Sequence, residues 1–418
     1  MPIKVKIPFA GGMEKISIKQ ENLVGFLTPR NAGKAEGLKV VTEALKNPVE
    51  AEAVEGFLKP RSEILFLVND GTRHTPTATV LRALEKLLQK VKPSFLVACG
   101  AHPPPTKREL ERIFGDFLAK YEARIRFNLS RAEDFGKIGD TSLGTSLWLN
   151  REALRARRIL VISSVEPHYF AGFTGGRKSI LPGVASYDSI EQNHRLALKP
   201  EARVLALKGN PVHEDMVEAA EAYADGREIY TLLTVLDGKR RIASAFAGDL
   251  HKAFYKATAE AERLYAVKIG EKADIVIAVA KSPLDLNLYQ AHKALEHGKL
   301  ALKNDGIIIL VAACQGGLGD EQFYRLLTLH DKPEKVLEAV EKKYRLGYHK
   351  AAKIAELSLK AEIWAVTSLE GSIVKKAFIK PYRNVQRALN EALKVKGKDA
   401  RVLIIPDAGL TIPKPNLE

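Results

Sequence analysis

Apolar and polar positions along this chain alternate between two kinds of segment. Short unbroken apolar runs recur at 62–69 (SEILFLVN), Phe95–Cys99, 158–164 (RILVISS), Ala273–Ala280 (ADIVIAVA), Gly306–Ala312, 362–367 and 401–405. Runs of this length and purity suit strands covered on both faces. Between them apolar residues return at helical spacing, as with Val80, Leu81, Leu84, Leu87 and Leu88 in Thr77–Val91. Further helices are predicted at about 107–120, with Thr106 as N-cap, and at about 212–224, 249–265, 288–301 and 383–394. Two more helical segments fall within 319–329 and 333–358, and strands are predicted at 228–235 and 241–246. Residues 3–18 alternate like a hairpin turning at Gly11-Gly12.

Repeated strand–helix alternation predicts an α/β protein with mainly parallel sheets flanked by helices. At 418 residues two domains are expected. The boundary is placed near 268–273, giving an N-terminal domain of residues 1–268 and a C-terminal α/β domain of residues 269–405. The tail, 406–418, is expected to pack back on the first domain or to fray.

Composition narrows the classes of function. A hydrophobic share of 46% and a charged share of 28% are those of a soluble globular protein. No apolar run approaches the ~18 residues needed to span a bilayer. The first residues carry no signal-peptide pattern, so the expected compartment is the cytoplasm, with no membrane partner. The two cysteines, Cys99 and Cys314, end apolar runs and read as small core hydrophobes rather than a disulfide or a zinc site. The net charge of +15 favours anionic ligands. Its cations are spread along the chain without a basic arm, which argues against nucleic acid.

Candidate chemistry gathers where predicted strands end. In a parallel sheet ligands bind beyond the C-terminal ends of the strands. Asp70-Gly71-Thr72-Arg73 follows the 62–69 strand, His102 follows Phe95–Cys99, and His168 follows 158–164. Arg73 can grip a carboxylate or phosphate with its planar fork. Two histidines at matching positions are what a two-sided proton exchange needs. The longest reactive stretch, Val165–His194, adds Gly172, Gly175, Gly176, Lys178 and His194. Its GFTGGRKS segment invites comparison with a P-loop and so with a phosphotransferase, but Arg177 stands where that pattern needs glycine. Glycines there would let backbone approach a ligand closely. Gln290 and Lys293, three apart at the start of a helix, share one face and suit a small carboxylate. His213, His251, His297, His330 and His349 read as ordinary surface residues.

In this order DGTR, GAH, EPHYFAGFTGGRKSILPG, NH and YQAHK resemble the nickel-dependent lactate racemase family over essentially the whole chain. The resemblance implies two α/β domains with the active site in the interdomain cleft. It implies an isomerase, a 2-hydroxy-acid racemase or epimerase with lactate as default substrate. A larger 2-hydroxy acid such as malate, an aromatic one or a sugar acid is the alternative. Its cofactor is a nickel pincer nucleotide, the Ni(II)-pyridinium-3,5-bisthiocarboxylic acid mononucleotide. By resemblance Lys178 is the attachment lysine, His194 the nickel ligand, and His102 and His168 the acid/base pair. Asp70, Gly71, Thr72 and Arg73 contact the cofactor, while Gln290, Lys293 and Arg73 hold the substrate. Cofactor-biosynthesis enzymes are implied as loading partners, and the sequence leaves room for a homo-oligomer. Family members also carry a substrate-side tryptophan, for which Trp364 is the candidate, although its apolar strand equally suits core packing.

Overall fold

The computed structural model describes residues 2–33 and 36–415. The chain forms two compact units, one of residues 30–264 and one joining residues 1–29 to 265–418.

Among the described residues the 30–264 unit holds a six-stranded sheet. Its order is Ile242–Gly248, Glu228–Leu236, Arg158–Ser164, Glu63–Asn69, Lys92–Ala98, Ile125–Phe127. Every neighbouring pair is parallel except the first. The central strands are unbroken apolar runs because both faces are covered, and Phe66, Leu67, Leu160 and Val161 have no exposure. The helix predicted at 107–120 is split. Thr106 opens it with a reciprocal capping box to Glu109, and Gly115, at φ +53°, ends the Lys107–Phe114 helix before Phe117–Tyr121.

Strand order reverses between Glu63–Asn69 and Arg158–Ser164. The loops leaving these neighbours, from Asp70 and from Val165, start side by side at the C-terminal edge, where sheets of this kind bind ligands. His102 follows the strand on the far side of Glu63–Asn69. His102 and the 165 loop thus stand two strand spacings apart, about 10 Å.

The other unit holds a six-stranded parallel sheet among the described residues. Their order is Ile379–Tyr382, Glu362–Val366, Leu302–Val311, Ala273–Val279, Val402–Ile405, Leu23–Phe26. Residues 1–29 therefore do not join the 30–264 unit, as a single cut near 268 assumed. Leu23–Phe26 extends the second sheet beside Val402–Ile405. The hairpin of Pro2–Phe9 and Gly12–Lys19 buries Val5, Ile7, Ile16 and Ile18 in the same core as Ile275 and Val402. It turns at Ala10-Gly11, one residue earlier than predicted, with both residues at positive φ. The tail belongs here too. Ile412–Pro415 pairs with Ala266–Ile269 and Ala408 donates to the Val279 carbonyl, while residues 416–418 lie outside the described residues.

No helix among the described residues is long and apolar enough to cross a membrane. Both cysteines are buried, and burial pushes the Cys99 thiol up to about 12 and that of Cys314 to about 11.

Candidate active site

Asp70 stands where the Glu63–Asn69 strand ends, 5% exposed. One of its oxygens, Oδ2, accepts a hydrogen bond from His102 Nδ1 at 2.7 Å. The other, Oδ1, accepts from the Thr72 amide at 3.1 Å and the Thr72 hydroxyl at 2.6 Å. Burial alone would raise this carboxyl. The charge and hydrogen bond of His102, with Thr72 and Arg73, outweigh it and hold the group below the ordinary carboxylate range. The bond fixes the neutral His102 ring with its proton on Nδ1 and its lone pair on Nε2. The ring itself is 41% exposed, so a reactant can reach it.

Between the two loops, Arg73 Nη1 meets Glu166 Oε1 at 2.5 Å. Thr75 Oγ1 bridges Asn69 Oδ1 at 2.7 Å and Ser164 Oγ at 2.9 Å, locking the two strand ends together. A Cβ on Gly71 would lie 2.4 Å from Glu109 Oε1, so a side chain there would have to push the Glu109 carboxylate out of its capping box. His74, next to Arg73, has a buried Nε2 without a hydrogen-bond partner. Burial, then Arg240, Arg112 and Arg73, pull its ring down to about 4, with Glu166 opposing.

The stretch beginning at Val165 is built around Phe170. His168 packs edge-on against that ring at 4.5 Å, His194 edge-on at 5.0 Å, and Lys178 Nζ lies 5.5 Å from its centroid. Three expected site residues thus share one aromatic platform that sequence reading did not single out. His168 Nδ1 accepts from the Ala171 amide at 3.3 Å, which places the neutral ring's proton on Nε2. Every residue from Pro167 to Leu181 is buried except Lys178.

Two of the glycines, Gly172 and Gly175, are demanded by packing within the chain itself. A Cβ on Gly172 (φ +73°) would meet the Ala206 carbonyl at 2.1 Å, and one on Gly175 (φ +89°) the Ser164 carbonyl at 2.9 Å. His213 is likewise no surface residue. It is buried, accepts from Arg177 Nε at 2.7 Å, and is driven down to about 3 by burial and then by Arg177. His297 and His349 are buried as well, bonded at Nδ1 to the Ala408 carbonyl and the Tyr344 hydroxyl, each at 2.7 Å.

In the second unit Asn287 caps the Leu288–Gly298 helix by accepting from the Gln290 amide at 2.9 Å. Gln290 and Lys293 occupy one half-buried face of that helix. Beneath its first turn, buried Lys350 donates to the Tyr289 carbonyl at 2.7 Å and lies 3.3 Å from the centre of the Tyr289 ring. Trp364 takes the core-packing alternative. It has no exposure, stacks on Tyr382 at 4.7 Å and donates to Glu362 at 2.9 Å.

Residues 9–205 match the lactate racemase N-terminal domain and residues 269–412 the lactate racemase C-terminal domain. The chain belongs to the lactate racemase family. A lactate racemase of Thermoanaerobacterium thermosaccharolyticum is 30% identical across 96% of this chain and 97% of its own length. That of Lactiplantibacillus plantarum is 29% identical across 97% and 98%. The solved lactate racemase apoprotein from T. thermosaccharolyticum superposes with a TM-score of 0.90 over 99% of this chain and 100% of that one, at 30% identity. A Thermotoga maritima crystal structure shares the fold at a TM-score of 0.71 and 16% identity, over 93% of this chain and 100% of that one. As a member of a family of racemases, the chain is an isomerase, and the family implies a metal-dependent cofactor. Among the described residues no three His, Cys, Asp or Glu side chains group as a metal cage.

Proposed function

We propose that the chain interconverts the enantiomers of a small 2-hydroxy acid, lactate by default, with His102 and His168 as the acid/base pair. The cofactor in this reading is a nickel pincer nucleotide attached at Lys178, with His194 as its protein ligand to nickel. The observation that carries the reading is the opposite setting of the two imidazoles. Asp70 leaves His102 with a bare Nε2, while the Ala171 amide leaves His168 with a protonated one.

The residues present fit such a group. Lys178 is the one side chain that a buried scaffold leaves accessible, and His194 lies against the same Phe170 ring. The unpartnered Nε2 of His74, among Arg73, Arg112 and Arg240, suits the phosphate of a nucleotide. Asp70, Gly71, Thr72 and Arg73 are its further contacts in this reading, a role supported by the bonds of Asp70 to His102 and of Arg73 to Glu166.

The hydrogen on the hydroxyl-bearing carbon of a 2-hydroxy acid is hardly acidic, so direct proton abstraction faces a high barrier. When bound, the cofactor supplies an electrophile that accepts that hydrogen as hydride. The chain's own work is then proton handling and orientation. His102 takes the hydroxyl proton at Nε2, and the Asp70 carboxylate stabilises the imidazolium that results. His168 offers its Nε2 proton as a hydrogen bond from the other side. To act as base toward the opposite enantiomer, His168 must shift its proton to Nδ1 and release the Ala171 amide. Gln290 and Lys293 hold the substrate carboxylate, and Glu166 fixes Arg73 between the two loops.

The test is to produce the protein together with the cofactor-biosynthesis enzymes, weigh the Lys178 peptide, measure nickel, and follow D- and L-lactate by chiral chromatography. A mass gain on that peptide, retained nickel and lactate interconversion are expected. An unmodified lysine without nickel or turnover overturns the reading. Turnover of malate or a sugar acid in place of lactate keeps the chemistry and changes the substrate.

A further inference from the structure

Arg177 is the most deeply buried cation of the active-site stretch, 1% exposed. Its Nη2 donates to the carbonyls of Ala171 at 2.9 Å and Phe173 at 3.1 Å, and its Nη1 to that of Gly175 at 3.3 Å. Its Nε donates to His213 Nδ1 at 2.7 Å, and its plane lies 4.2 Å from the Phe254 ring centre. No acidic side chain among the described residues pairs with it. An unpaired buried cation is a costly way to fill space, and an apolar side chain of similar volume would pack there at lower cost. What a guanidinium adds is direction, because a planar fork fixes several acceptors at once.

We infer that Arg177 and His213 are positioning residues for Lys178: their buried contact shapes the turn from which the lysine amine projects. The acceptors that Arg177 gathers belong to the segment carrying Phe170 and leading into Lys178. The Lys178 amide closes the turn on the Gly175 carbonyl at 3.2 Å, beside the Gly175–Arg177 bond. His213 comes from the first turn of a separate helix, Pro211–Ala224. Asn210 caps that helix, and its side chain also donates to the Phe170 carbonyl at 2.8 Å. One helix start thereby grips the loop at two points, through Asn210 and through His213. His213 can play this part only unprotonated, since Nδ1 is the acceptor. The neighbouring guanidinium and the burial of the ring keep it so.

The inference rests on Lys178 being the attachment residue, so two readouts are taken. One is the initial rate of mass gain on the Lys178 peptide in cells making the cofactor. The other is the acetylation of Lys178 in the apoprotein by an N-hydroxysuccinimide ester, relative to exposed Lys59 and Lys90. His213→Leu removes the acceptor at similar size, and His213→Asn restores an acceptor. Expected is a loading rate down about tenfold and an acetylation ratio shifted at least about threefold in His213→Leu. His213→Asn should recover both to within about threefold of the parent. Parental values in His213→Leu overturn the inference. So do equal losses in the two variants that track their melting temperatures, which mark a merely structural role. Should His213→Leu fail to fold, Arg177→Lys takes its place, keeping the charge and losing the fork. A parent that gains no mass, with an acetylation ratio still governed by His213, removes the attachment reading and leaves the positioning role standing.

Discussion

The Asp70–His102 pair concentrates what single residues do here. A buried carboxylate selects which imidazole nitrogen is bare, so its loss should strike catalysis rather than cofactor loading. Asp70→Asn is expected to lower turnover by about 10²–10⁴-fold while the Lys178 peptide keeps its added mass, read by chiral chromatography and mass spectrometry. The pair also stabilises the fold at neutral pH. Asp70 is held below its ordinary 3.8, so its contribution is complete above that value and is lost as pH falls through the folded value. The buried histidines act over a higher window. His213 at about 3, and His292, depressed well below 6.5, stay neutral in the fold while the unfolded chain takes up protons. Stability should therefore decline from about pH 6.5 downward, each ring adding at most ~1.4 kcal/mol per pH unit. Urea unfolding across that range should show the slope, and His213→Gln should flatten it. Asp70, His102 and His168 stood out as candidates because each follows an apolar strand. Phe170, Arg177 and His213 did not, since an aromatic, an arginine and a helix-start histidine carry no local mark of burial.

At the scale of elements the stretch from Pro167 to Leu181 is a buried loop with one half-buried lysine. Gly172 and Gly175 answer to steric demands within the chain, and the P-loop likeness was a likeness of composition only. Gly172→Ala should cost about 2–4 kcal/mol by denaturant unfolding, because both a left-handed φ and a backbone carbonyl 2.1 Å away oppose a side chain. The helix starting at Lys107 behaves as its sequence predicts. Thr106→Ala should cost about 1 kcal/mol through loss of the cap, measured in the same way. Helix ends were readable where a cap or a glycine marked them. Ile379–Tyr382 and Ile412–Pro415 escaped notice, being too short to show a period.

On the scale of the whole molecule, chain order and unit membership part company. The first 29 residues complete a core whose other members lie beyond residue 264. Deleting residues 1–21 uncovers the partners of Val5, Ile7, Ile16 and Ile18. At about 1.5–3 kcal/mol for each side chain, the loss is comparable to the entire stability of a domain. Such a truncation should lose the cooperative unfolding transition of that unit in calorimetry while the 30–264 unit keeps its own.

The sequence by itself determined the α/β class, most of the strands and the family, and it marked the reactive residues that follow strand ends. These depend on local pattern: apolar runs, helical spacing, caps, and reactive residues at strand ends. Only the tertiary structure decided which strands are neighbours, where the sheet reverses, and what the reactive side chains touch. The hairpin at the start of the chain shows only that one face is buried, and any apolar surface would satisfy it. The proton arrangement of the two histidines likewise comes from Asp70 and from the Ala171 amide as folding presents them. Burial and hydrogen-bond partners are properties of the packed chain, and they turn a lysine in a glycine-rich run into the one accessible amine of a buried loop.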